Sequence, residues 1–151
     1  MTIEIVRGCL LNALDNGEVN SIVHCVNMQK TMSSGIALAI KNRYPEVYKE
    51  YASKKGHLGF ADGVYLDGSD CSKIVWNLYG QEFYGRDTRK GNYGAIAEGL
   101  STIANNSERQ VVGFPYRMCS DRAGCDWEII LEMIEYYFRS VHHNVKIYLK
   151  L

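Results

Sequence analysis

Four of the six residues in Ser21-Ile22-Val23-His24-Cys25-Val26 are apolar, and they do not alternate with polar ones. A strand with apolar side chains on both faces has to be covered on both. That requirement points to a strand inside a sheet covered on both faces. Other segments fit the same plan. Ile3–Val6 reads as a short strand, Gly63–Leu66 and Lys73–Leu78 as two strands around the turn Asp67-Gly68-Ser69-Asp70, and Gln110–Pro115 as another. Val145, Ile147 and Leu149 alternate with Lys146, Tyr148 and Lys150, which predicts a last strand with one solvated face.

Helical periodicity separates these strands. A helix is expected from near Gly35, with Ile36, Ile40 and Tyr44 on one face. Pro45 interrupts it or opens a second helix carrying Val47, Tyr48 and Tyr51. Tyr93 to Ala104 places Ile96, Leu100 and Ile103 on one face. Trp127, Ile130, Leu131, Ile134, Tyr137 and Phe138 give the clearest helical stripe, with Asp126 before it as N-cap. Strands alternating with helices imply an α/β fold whose sheet of about six strands is covered on both faces. No repeat, low-complexity tract or linker divides the chain, so residues 1–151 read as one domain.

Composition excludes several classes of function. Lys plus Arg and Asp plus Glu each number 17, so no basic excess supports nucleic-acid capture and no cationic face a membrane surface. No apolar run reaches spanning length, and Met1–Arg7 is too short and too charged for a signal peptide. The five cysteines are odd in number and lack a Cys-x-x-Cys pair, and the four histidines are not placed near paired cysteines, which disfavours a disulfide framework and structural zinc. A reducing, cytoplasmic location is the expectation.

In open α/β sheets, ligands settle where strand ends lead into helices. Two such connections carry small or charged residues. One runs His24 to Ala37, where Ser33, Ser34 and Gly35 allow close backbone approach and offer N–H groups to a phosphate, or serve only as a helix cap. The other runs Pro115 to Trp127, where Arg117 and Arg122 could pair with phosphates or lie in solvent.

The first block resembles the macro domain, in the branch of ADP-ribose 1''-phosphate phosphatases and terminal ADP-ribose protein glycohydrolases. The matching features are His24-x-x-Asn27, Met32-Ser33-Ser34-Gly35-Ile36-Ala37, Arg43-Tyr44-Pro45 and Tyr51. The second block, Pro115 and then Met118-Cys119-Ser120-Asp121-Arg122-Ala123-Gly124-Cys125-Asp126-Trp127, is similar to that family's Pro-x-Ile-Gly-Cys-Gly-x-Ala-Gly-Gly-Asp-Trp segment. Val6-Arg7-Gly8 and Leu78-Tyr79-Gly80-Gln81 extend the likeness over nearly the whole chain.

The resemblance implies a three-layer α/β/α macro domain with a mixed, about six-stranded sheet, which binds ADP-ribose or ADP-ribose 1''-phosphate, free or on an ADP-ribosylated macromolecule, with no metal or other cofactor. Asn27 would bond the distal ribose. Met32, Ser33, Ser34, Gly35 and Ile36 would wrap the ribose and diphosphate, and Met118, Cys119, Ser120, Asp121, Arg122, Ala123 and Gly124 would form a second diphosphate loop. Gly8, Cys9 and Leu10 would border the adenine, and Gln81 would also belong to the ligand-binding set. His24 and Asp126 fall at positions of interest for catalysis. His24 is also suited to a hydrogen-bonded core position, Asp126 to capping, and Asp87 or Asp121 could orient a water. Of Phe83, Tyr84 and Tyr93, one could stack on the ligand.

The chain departs from the family pattern at four points. Gly-Asp after the first strand is Gly8-Cys9 here, so the base is read more weakly or by another residue. Asp121 brings a carboxylate to the second diphosphate loop, a repulsion of roughly 1 kcal/mol or more at contact. Gln81 and Ala123 replace the lysine and aspartate of the glycohydrolases, so the resemblance does not extend to that mechanism. Hydrolysis of ADP-ribose 1''-phosphate is the leading expectation, binding without turnover the second, and ADP-ribosyl glycohydrolysis the third.

Overall fold

The computed structural model describes residues 2–68, 72–83, 88–121 and 123–149. Ser69, Asp70, Tyr84, Asp87, Arg122 and Lys150, which figure in the expectations above, lie outside the described residues. The elements follow in the order β1 (Thr2–Arg7), α1 (Leu10–Asn16), β2 (Ser21–Asn27), α2 (Gly35–Arg43), α3 (Pro45–Ser53), β3 (Ala61–Tyr65), β4 (Ile74–Gln81), α4 (Tyr93–Asn105), β5 (Val111–Pro115), α5 (Trp127–Tyr137) and β6 (Asn144–Leu149). The six strands form one sheet in the order β1-β6-β5-β2-β4-β3. Only the β3–β4 pair is antiparallel.

The expected alternation is present, with one addition. Helix α1, not foreseen from the sequence, buries Leu10, Leu11, Ala13 and Leu14 in seven residues and stops at Gly17, whose φ of 82° forms the left-handed cap. A helix this short shows only two turns of periodicity, too few to separate it from a loop by pattern alone. Pro45 begins α3 at its first position, where a missing N–H costs nothing.

Helices α1, α2 and α3 cover one face, packing Leu14, Ile40, Val47 and Tyr51 against Ile22, Val26, Val75 and Tyr79. Helices α4 and α5 cover the other, packing Ile96, Leu100, Ile130 and Ile134 against Val23, Trp76, Leu78 and Val112. Each of these buried side chains contributes roughly 2 kcal/mol of transfer free energy. Strand β2 has both faces buried, as its apolar run requires.

Strand β6 has only part of the solvated face expected of it: Lys146 is half-buried, while Tyr148, 3% exposed, joins the core cluster of the face covered by α1, α2 and α3. Alternation along a strand cannot reveal which of its outward side chains another element will cover.

Candidate functional site

Strands β1, β2, β5 and β6 run parallel, so their carboxyl ends share one edge of the sheet. From β2 the chain passes to β3 and β4 on one side, whereas from β5 it passes to β6 on the other. The reversal opens a crevice between β2 and β5, the position where such sheets take ligands. The crevice is a cleft of about 1150 Å³.

Its β2 side is organised by Asn27. The Asn27 side-chain Oδ1 accepts from the Gln29 and Thr31 amides at 2.9 and 3.3 Å and from the Tyr51 hydroxyl at 2.8 Å. Its Nδ2 donates to the Thr31 carbonyl at 3.0 Å. Asn27 thus folds the loop that delivers Ser33 and Ser34, and keeps one N–H for the cleft.

The loop ends at the start of α2. Ser34 is extended, Gly35 has a φ of 59°, and the first helical bond runs from the Leu38 amide to the Ser34 carbonyl at 3.2 Å. The Ser34 side chain does not cap the helix. The amides of Gly35, Ile36 and Ala37 therefore have no helical partner, and all three residues line the cleft. Lys41 and Arg43 in the last turn complement the other end of the helix dipole.

Opposite stands the segment after β5. The Met118 amide bonds the Pro115 carbonyl at 3.1 Å and the Ser120 amide bonds the Arg117 carbonyl at 2.9 Å, making two consecutive turns. Their third residues, Arg117 and Cys119, have φ of 63° and 62°, the left-handed position usually given to glycine in a type II turn. Among the described residues, the amides of Arg117, Cys119 and Asp121 donate to no backbone carbonyl. The Asp121 carboxylate is held by Arg117, whose Nε donates at 2.8 Å, so its charge is met beside the cleft.

Among the residues expected to bind ligand, the structure brings Gly8, Cys9, Leu10, Asn27, Ser33, Ser34, Gly35, Ile36, Gln81, Met118, Cys119, Ser120, Asp121 and Ala123 to the cleft wall. Met32 is a core residue 2% exposed, and Gly124 is not in the lining. Sequence reasoning missed Cys25, Arg43 and Tyr148 as lining residues. Their placement depends on which strands are neighbours. The side-chain polar groups are mostly engaged. The Gln81 Nε2 donates to the Phe83 carbonyl at 2.6 Å, the Tyr148 hydroxyl to Glu18 at 3.1 Å, and Arg43 to Asn12 and Asp15 at 2.7 and 3.1 Å.

The two residues singled out for catalysis lie elsewhere. His24 is fully buried on the face covered by α1, α2 and α3, and its Nε2–H donates to the Asn77 Oδ1 at 2.6 Å. Burial holds its pKa down at about 4 against the opposing effect of that bond, so the ring is neutral at pH 7. Asp126 caps α5, accepting from the Glu128 amide at 2.9 Å. Neither lines the cleft. Phe83 and Tyr93 border a separate depression of about 460 Å³ with Arg89 and Lys90. Among the described residues, no group of three or more His, Cys, Asp or Glu side chains is placed to hold a metal ion, and no helix is long and apolar enough to cross a membrane.

No protein-family model and no curated protein matches this chain. Solved structures do. The macrodomain of Mycobacterium tuberculosis DarG is 23% identical and superposes with a TM-score of 0.80, each chain covered to 97%. The fold is that of a macrodomain. A protein of unknown function from Bacteroides thetaiotaomicron superposes at 0.82 with 20% identity, covering 99% of this chain and 98% of that one. Thermosipho africanus DarTG, solved in complex with ADP-ribose, superposes at 0.78 with 16% identity, covering 97% of this chain and 41% of the larger one. In this macrodomain fold the cleft at the β2–β5 crevice is the larger of the two described depressions.

Proposed function

We propose that the cleft binds ADP-ribose, with the diphosphate between the start of α2 and the two turns after β5. The carrying observation is the uncapped start of α2, where three amides without a helical partner line the same cleft as a second set that, among the described residues, donates to no backbone carbonyl. Backbone donors at a helix start suit an anion without a net positive chain, which reconciles a neutral protein with a phosphate ligand. The apolar residues Leu10, Leu11 and Ile36 in the lining offer a surface for the base, and Asn27 a donor for the ribose. The ADP-ribose complex of the Thermosipho africanus protein, which shares the fold, supports the same ligand here.

Retention of the ligand is favoured over its turnover. Hydrolysis of ADP-ribose 1''-phosphate needs an acid or base within reach of the phosphate. His24 is sealed in the core, Asp126 caps a helix, and Asp121 is paired to Arg117. ADP-ribosyl glycohydrolysis is the least supported reading, since Gln81 and Ala123 offer neither a lysine nor a carboxylate.

The test is thermal unfolding with increasing ADP-ribose, together with phosphate release from ADP-ribose 1''-phosphate. A ligand at one hundred times its dissociation constant stabilises by about 2.7 kcal/mol, and the melting temperature rises accordingly. No rise at millimolar ADP-ribose overturns the binding reading. Catalytic release of phosphate, lost in a Gly35→Ala variant, overturns the reading of retention.

A further inference from the structure

In the loop between β2 and α2, Lys30 has a φ of 62°, a left-handed conformation that residues with a long side chain rarely adopt. Such a backbone persists only where surrounding contacts hold it. Here the contacts come from three tyrosines. The Tyr48 hydroxyl donates to the Lys30 carbonyl at 3.4 Å, and the Lys30 Nζ donates to the Tyr79 hydroxyl at 3.0 Å. The same ammonium stands 4.8 Å from the ring centroids of both Tyr51 and Tyr79, so two aromatic faces attract it. Tyr51 on α3 and Tyr79 on β4 are fully buried, with their centroids 5.8 Å apart. The side chain of Lys30 thus ties the loop to the core.

Tyr51 also reaches the cleft side of the loop. Its hydroxyl lies 2.6 Å from the Asn27 carbonyl oxygen and 2.8 Å from Oδ1, the atom that accepts from the Gln29 and Thr31 amides. Lys30 sits between those two residues, and its ammonium rests on the ring whose hydroxyl holds Asn27. Thr31, Ser33 and Ser34, which follow it, line the cleft, whereas Lys30 does not.

We propose that Lys30 is a positioning residue for the cleft, a latch whose ammonium, set against the rings of Tyr51 and Tyr79, holds the β2–α2 loop in the conformation that presents Thr31, Ser33 and Ser34 to ligand. That the ligand is ADP-ribose rests on the function proposed above. A neutral side chain of the same length loses the attraction to both rings and leaves the left-handed backbone unsupported. Glycine takes that backbone freely but has no tie to the core.

The latch depends on charge. Asp62 on β3, 7% exposed, acts on the ammonium from a distance, and its Oδ1 accepts from the Lys54 Nζ at 2.8 Å, with Glu50 3.0 Å from the same Nζ. On α2, Lys41 stands over the Tyr48 ring, 4.2 Å from its centroid. Burial lowers the pKa of Lys30, and the charge of Asp62 offsets this only in part. Burial pushes the hydroxyls of Tyr51 and Tyr79 up, that of Tyr79 to about 12. Lys30 therefore loses its proton before either tyrosine, so the latch is intact at neutral pH and weakens as the pH rises.

The experiment measures ADP-ribose affinity of the full chain by calorimetry, near neutral pH and at about pH 10, in native protein, Lys30→Met, Lys30→Gly and Lys30→Arg. Lys30→Met and Lys30→Gly should bind about fivefold more weakly at neutral pH. Lys30→Arg, whose guanidinium stays charged and stacks on aromatic rings, should bind within about twofold of native. Raising the pH should weaken native protein relative to Lys30→Arg. Native affinity in Lys30→Met or Lys30→Gly, a loss in Lys30→Arg equal to theirs, or the same alkaline loss in native protein and Lys30→Arg overturns the proposal. Should the neutral variants fold poorly, the pH comparison of native protein with Lys30→Arg still decides. A second arm needs no ligand: hydrogen exchange at the Gln29 and Thr31 amides should be about fivefold faster in Lys30→Met, and unchanged exchange overturns the latch. If native protein binds no ADP-ribose, the function reading falls, and the exchange arm alone decides the latch.

Discussion

The Arg117 Nε lies 2.8 Å from the Asp121 Oδ1, and both residues line the cleft. The aspartate that looked from the sequence like an obstacle to a diphosphate is thus held by an arginine four residues earlier. The side chains are 47% and 69% exposed, so the pair adds little to stability. On the proposed reading its effect is on the ligand, because a diphosphate in the cleft would compete with Asp121 for one guanidinium. Asp121→Asn should therefore tighten ADP-ribose binding by about fivefold, equivalent to about 1 kcal/mol of relieved repulsion. Titration calorimetry at low and high salt checks this, and the gain should shrink as salt rises.

Gly35 is the second lever. Its φ of 59° turns the chain from the extended Ser34 into α2, and a Cβ there meets no atom within 4 Å. The cost of a side chain is therefore conformational rather than steric. Gly35→Ala should destabilise by about 1 kcal/mol in urea unfolding. The same change should weaken ADP-ribose binding at least tenfold, because relaxing φ swings the Gly35 and Ile36 amides away from the cleft.

His24 should set an acid-side slope in stability. Its folded pKa of about 4 is below the ordinary 6.5, so the unfolded chain takes up the proton first. The stability involved is fully present above pH 6.5 and is lost as the pH falls toward about 4, to a total of about 3 kcal/mol. Denaturant midpoints measured across that window should fall in the native protein. In His24→Asn the fall should be flatter, although the variant is less stable at pH 7.

Asp126 separates capping from catalysis. Asp126→Ala should cost about 1 kcal/mol of stability through the lost bond to the Glu128 amide. ADP-ribose affinity, measured by calorimetry, should stay within about twofold of the native value. A large loss of binding would place Asp126 at the ligand after all.

Much of the scaffold was legible because each signal was local. Ile22, Val23, Cys25 and Val26 announce a doubly covered strand, Pro45 a helix start, and the Trp127 to Phe138 stripe a packed helix. Tyr148 was misread for the converse reason. Its neighbours in sequence suggested solvent, whereas its neighbours in space are β1, β5 and the cleft. His24 offered two readings that only burial could separate, since an imidazole at a strand end looks the same from the sequence whether it faces a cleft or a core.

The sequence by itself determined the layers, the two small-residue connections and the absence of charge excess, because hydrophobic period, glycine and proline act over a few residues. Tertiary structure alone decided that Arg117 neutralises Asp121 and that His24 is sealed against Asn77. Those relationships depend on the order of strands in the sheet and the hand of two turns. Chain separation carries no record of either, so the chemistry of the cleft emerges only when β2 and β5 lie side by side.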